Sequence, residues 1–201
     1  MATSETSPVV AAVEVLRERA RTFDVQESLL IGAGAMVGAY VLTLAVVVLT
    51  AESIDLSIGR LLTYVGFLVY SAHHVPAVGE DVSIQALDQA DISTLKFAAY
   101  TSIPMAMSLI AGGIATFRNG RRDGAPEDAL FAAISVAGGY AAVSVMGSLL
   151  IRSTTTTGIE VGVDTLQAGV YGVAYPLGFG LLAAAILQFA RYLTVRIDTG
   201  E

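Results

Sequence analysis

The chain has 201 residues, 54% of them hydrophobic and 14% charged, with a formal charge of −7 that falls in short stretches between long uncharged ones. Soluble domains carry charge on about a quarter of their residues, so this pattern points to a polytopic membrane protein of one domain rather than a soluble core. Acidity without a basic patch excludes nucleic acid as a partner. The absence of cysteine excludes disulfides, thiolate metal sites and cysteine nucleophiles.

The acidic excess rests on Asp and Glu set against ten Arg and the single Lys96. Strong negative charge with scarce lysine is the composition of a halophile's protein. There is no Trp, so the eight Tyr must serve as the interfacial aromatic belt.

In chain order, Ser7-Pro8 has N-cap and first-turn chemistry. Val9, Val13, Leu16, Ala20 and Phe23 then form one apolar stripe, with Arg17, Arg19 and Arg21 beside it. Residues 1–27 are therefore expected as a cytoplasmic amphipathic helix lying on the membrane surface. Asp24 and Glu27 have the spacing of a capping box for the next helix. Acidic residues before the first apolar run argue against a cleaved signal peptide, so that run is expected to be a retained anchor. Four uncharged runs, 28–50, 97–117, 129–151 and 169–190, are each long enough to span the hydrocarbon core. The second contains Pro104 and the fourth Pro176, as membrane helices tolerate. Residues 191–201 follow as a cytoplasmic tail.

Segment 57–79 is different. Its unbroken apolar part runs only from Leu61 to Ala72, then meets His73, His74 and Pro76. Runs of that length mark re-entrant or interfacial segments more often than true spans. Arginine placement favours the same reading. If the segment crosses, the cations divide nearly evenly between the two sides. If it does not, eight face the cytoplasm and only Arg60, Lys96 and Arg152 face outward, as the positive-inside rule prefers. The expected fold is therefore an all-α polytopic bundle of four transmembrane helices plus one shorter re-entrant or interfacial helix, a fifth crossing being the alternative. Both termini are expected in the cytoplasm of a cell-membrane protein, with both histidines at the outer interface. Ile159, Val161 and Val163 alternate with Glu160, Gly162 and Asp164, which suits a short strand in the second outer loop.

Residues 32–38, GAGAMVG, miss the dinucleotide fingerprint because Val37 stands where it needs glycine and the context is a spanning helix. Gly34 and Gly38 instead make a small-xxx-small step for helix packing. Ser135 and Gly139 repeat it, as do Ala168/Gly172 and Ala174/Gly178. Tyr70, His73, His74, Tyr175 and Gln188 are candidates for ligand contact or pH sensing. His73 and His74 with Glu80 and Asp81 form a candidate metal set, although the spacing matches no standard motif. Arg118, Arg121 and Arg122 form a basic inner turn suited to fixing orientation and to lipid headgroups. The four spans carry no acidic residue, His or Lys, so ion-coupled transport and intramembrane hydrolysis lose support together. Tyr40, Ser108, Tyr140, Ser144, Tyr175 and Gln188 remain at depth for interhelical hydrogen bonds.

The stretch Phe67-Leu68-Val69-Tyr70-Ser71-Ala72-His73-His74-Val75 resembles a segment of an uncharacterised family of haloarchaeal multi-pass membrane proteins, aromatic-Tyr-Asn-Ala-His-aromatic-Val. Ser71 replaces the Asn of that pattern, and His74 replaces an aromatic. The resemblance implies a membrane address and a halophilic origin, and no activity. The functional expectation is a non-enzymatic packing or assembly component with no cofactor, whose partners are the lipid bilayer and either copies of itself or other membrane proteins. The alternatives are a small transporter of a neutral solute and an outer-face metal-dependent enzyme.

Overall fold

The computed structural model describes residues 23–51, 55–80, 83–89, 92–119, 126–156 and 158–199. Residues 1–22 of the surface helix expected over 1–27, together with Asp81, Arg121 and Arg122, lie outside them. Among the described residues four helices are long and apolar enough to cross a membrane: α1 (Val25–Thr50), α4 (Thr94–Asn119), α5 (Pro126–Leu150) and α6 (Thr165–Thr199). Two shorter ones, α2 (Ile58–Ala72) and α3 (Ala86–Gln89), fall between α1 and α4. The four long helices form a square in which α5 packs between α1 and α6, and α4 closes it against α6 and α1.

Local chemistry sets the helix ends. The Asp24 carboxylate accepts the Glu27 N–H at 2.9 Å and starts α1. Glu27 does not reach back to complete the box. It crosses the bundle to Arg118 at the end of α4, 2.7 Å away. At the opposite end the Lys96 ammonium donates to the Thr50 carbonyl at 3.1 Å, satisfying one of the orphan acceptors that every helix C-terminus leaves. Asp164 caps α6: its carboxylate accepts the Gln167 N–H at 3.0 Å and the Gln167 side-chain amide at 3.3 Å. The helix therefore starts at Thr165, ahead of the apolar run, and it continues through the expected tail to Thr199. At 35 residues it is about 52 Å long, well beyond the bilayer core.

Small residues set the spacing between helices. Lipid is as apolar as the side chains, so helices associate in it through close van der Waals contact and hydrogen bonds rather than through the hydrophobic effect. A Cβ placed on Gly32 would lie 2.0 Å from the Val136 carbonyl oxygen, and one on Gly139 would lie 1.9 Å from that of Leu29. The backbones of α1 and α5 are thus in direct contact. Gly112 and Gly180 bring α4 and α6 together in the same way, a Cβ on the first falling 2.4 Å from the Cα of the second. Of the packing residues expected from sequence, Gly139 sits in such a seam, Gly172 faces Ala141 and Ser144, Gly38 faces the flexible Met107, and Ser135 is buried. A Cβ added to Gly34 or Gly178 would meet nothing within 4 Å, and both glycines are exposed, so within the described residues they pack against nothing.

A small antiparallel sheet joins the bundle at the α1 C-terminal end, in the order β2 (Ser83–Ile84), β1 (Ala77–Val78), β4 (Glu160–Val163), β3 (Arg152–Thr154). β1 is central, pairing Ala77 with both Ile84 and Val163. Val161 and Val163 point inward and Glu160 outward, the period-2 pattern of a half-buried strand. Sequence periodicity marks β4. It does not mark β1, β2 or β3, which are too short for alternation to show, so the sheet adds to the expected all-helical architecture.

This sheet fixes the course of α2. Its start faces Arg152–Thr156 across a cleft, and Gly66 lies against Ile151 beside the end of α5. Further along, the Tyr70 hydroxyl donates to the Ser144 carbonyl and His73 reaches Tyr140. Each step goes deeper along α5. After His73 the chain turns back, and by Ala77 it is paired with β4, level with the start of α6. α2 thus enters the bundle and the chain leaves it by the same end. With 15 residues, about 22 Å of helix, α2 is shorter than a roughly 30 Å hydrocarbon core.

Candidate functional site

The turn that reverses the chain is a Schellman motif. The Val75 N–H donates to the Tyr70 carbonyl and the His74 N–H to the Ser71 carbonyl, both at 2.9 Å. This places His74 in the left-handed region, at φ 61°, a position usually given to glycine but which histidine adopts more readily than most residues. Pro76 follows and cannot continue a helix. Gln85 then binds the turn from outside. It accepts from the Ser71 hydroxyl at 3.0 Å and donates to the His74 carbonyl at 3.1 Å. The Leu87 N–H donates to the same Ser71 oxygen at 3.0 Å.

This geometry drives His73 into the centre of the bundle, where it is 2% exposed. Its Nδ1 lies 2.7 Å from the Val69 carbonyl oxygen and its Nε2 2.6 Å from the Tyr140 hydroxyl. A carbonyl can only accept, so Nδ1 carries the proton. In the neutral ring Nε2 then accepts from Tyr140. The ring is flanked by Tyr175, with centroids 5.0 Å apart, and by Tyr140 at 5.6 Å. The Tyr175 hydroxyl donates to the Ala72 carbonyl at 3.2 Å. Two orphan carbonyls at the end of α2 are thus satisfied by side chains, one from its own cap and one from α6. The Ser144 hydroxyl extends the network to the Ala168 carbonyl at 3.0 Å, and Tyr40 donates to the Leu62 carbonyl. Tyr140 is ten residues from the end of α5 and Tyr175 ten from the start of α6. Both lie about 15 Å in from the helix ends, so the cluster sits at mid-bundle.

Residues 10–191 match the model of a family of unknown function, DUF7978. The chain belongs to this family. No curated protein and no solved structure matches it. The matched region contains all of the cluster just described.

In this DUF7978 member three sequence-selected residues, Tyr70, His73 and Tyr175, come together, and the other two do not. His74 is exposed with its ring towards Tyr171, 6.5 Å between centroids. Gln188 is thirteen residues beyond Tyr175 on α6, about 20 Å away along the axis. The expected placement of both histidines at the outer interface is corrected for His73, because the Schellman turn swings it inward. The candidate metal set is not assembled among the described residues: no three His, Asp or Glu gather there. Both ring nitrogens of His73 are occupied, and Glu80 is exposed. Arg118 is at the opposite end, paired with Glu27.

Sequence reasoning identified Tyr140 and Ser144 as buried hydrogen-bonding groups and missed their partners. It missed the roles of Gln85 and Lys96, since a polar side chain outside the apolar runs gives no signal of the carbonyl it will meet. Asp164 and Gln167 did carry a signal, the i, i+3 spacing of a capping box.

Proposed function

We propose that the protein is a non-enzymatic cell-membrane component, a rigid bundle that assembles with copies of itself or with other membrane proteins. The observation that carries this reading is the closed state of the central cluster. Both His73 nitrogens and the hydroxyls of Tyr70, Tyr140 and Tyr175 are bonded within the chain, which suits a lock better than a reacting or conducting site. Gly34 and Gly178 add to it. They offer a neighbouring helix the same backbone approach that Gly32 and Gly139 provide inside the bundle. Cross-linking in lipid nanodiscs and native mass spectrometry should give a defined oligomer or complex, weakened by Gly34→Leu or Gly178→Leu. A strictly monomeric particle in both would overturn the reading. Solute uptake by reconstituted vesicles that is lost in Tyr175→Phe would assign the protein to transport instead.

The proposed sidedness places both termini in the cytoplasm, with the sheet and the open end of α2 outside. The chain has no cysteine, so single replacements of Ser83, Gly120 and Ser153 can be labelled cleanly in intact cells. Ser83→Cys and Ser153→Cys should react with an impermeant thiol reagent, and Gly120→Cys only after lysis. The reverse pattern would invert the orientation. Discordance between Ser83 and Ser153 would contradict their shared sheet.

A further inference from the structure

The strongest unassigned feature is the cleft of about 850 Å³ between the start of α2 and the β3 strand with its following turn. The chain is acidic overall, yet among the described residues the only charged side chains lining this cleft are Arg60 and Arg152. Arg60 makes no ion pair or hydrogen bond among the described residues. Arg152 holds Glu160 at 3.0 Å, but both side chains are about 60% exposed, and such a pair is weak and readily exchanged. The hydroxyl-bearing residues Ser57, Thr63, Ser153 and Thr154 line the same cleft. Ser57 is the N-cap residue of α2, and its hydroxyl makes no capping bond.

Two arginines in one cleft lined by hydroxyl-bearing residues match a phosphate, which accepts paired N–H and O–H bonds on several oxygens. The setting identifies the source of that phosphate. Leu56, which lines the cleft, is 44% exposed, and Ile58, two residues on in the chain, is 79% exposed. Tyr64 and Phe67 line its α2 side. Exposed apolar residues next to a cationic pocket, at the end of a spanning bundle, fit acyl chains below a headgroup. We propose that this cleft binds the phosphate of an anionic membrane lipid in the leaflet that meets the sheet.

The test uses the full chain in nanodiscs carrying a photoactivatable probe, either phosphatidylglycerol or phosphatidylcholine with the same tails, with cross-links mapped by peptide. The phosphatidylglycerol probe should label residues 56–67 and 152–156 about tenfold more than the phosphatidylcholine probe. That preference should fall in Arg60→Gln and in Arg152→Gln while their circular-dichroism melts match the parent. It should also weaken as salt rises. Equal labelling by the two probes would overturn the proposal, and that comparison needs no variant to fold. A preference unchanged in both variants would overturn it too. Abolition of labelling by inorganic phosphate at moderate concentration would identify a site for free anions and reject the lipid assignment.

Discussion

Gly139→Val will destabilise the bundle by about 4 kcal/mol or more, the range reserved for severe packing defects. The added Cβ alone would lie 1.9 Å from the Leu29 carbonyl oxygen and 3.0 Å from the Ala33 nitrogen. These are backbone atoms, so no rotamer change relieves the clash, and α1 must separate from α5. That separation would also disturb Gly32, whose contact with Val136 belongs to the same seam. Gly34→Val, two residues along α1, is the matched control. It meets open space and should shift stability by no more than about 0.5 kcal/mol, apart from any effect on assembly. Thermal unfolding in mild detergent, followed by circular dichroism, measures both. Equal effects at the two positions would show that α1 and α5 do not meet through Gly139.

The second large effect belongs to the His73–Tyr140 bond. His73→Phe keeps a ring of similar bulk but leaves the Val69 carbonyl and the Tyr140 hydroxyl unpaired in the interior. Each orphaned group costs about 1–3 kcal/mol, so a loss of about 3 kcal/mol is expected. Tyr140→Phe alone orphans Nε2 and should cost about 1–2 kcal/mol. The double variant removes donor and acceptor together, so its cost should fall short of the sum by about 1 kcal/mol, the scale of interhelical hydrogen bonds in membranes. A double-mutant cycle of unfolding free energies reads this directly. Strict additivity would mean that the two side chains do not interact. Because the bond ties the tip of α2 to the middle of α5, His73→Phe should also raise hydrogen exchange across residues 70–78 more than across α1.

The long helices were legible in the sequence because each is an uncharged run of spanning length. Asp24 even marked the first residue before α1. The course of α2 was partly legible: Leu61–Ala72 is visibly too short, and Pro76 visibly stops it. The depth reached by His73 was not, because it depends on a backbone turn in which His74 takes the left-handed conformation, and no side-chain periodicity encodes that. The glycine seams show the same division. Small-xxx-small spacing found Gly139 and Gly172, which pack, alongside Gly34 and Gly178, which face outward. It passed over Gly32, Gly112 and Gly180, whose partners lie on other helices. Spacing along one helix cannot say which of its faces will meet a neighbour. The sheet was hidden for a related reason. β1 has only two residues, and the strand that holds it in place arrives more than eighty residues later.

That separation bears on biosynthesis. His73 finds its hydroxyl partner 67 residues downstream, and Ala72 finds Tyr175 103 residues downstream. When the nascent chain first emerges, α2 has no binding partner at mid-bundle and is too short to remain in lipid by itself. It must wait at the headgroup boundary until the final pair of spanning helices has been threaded. Its docking, and with it closure of the sheet, is then the concluding event of maturation, and a ribosome-stalled product ending before Glu160 would leave residues 58–84 open to protease.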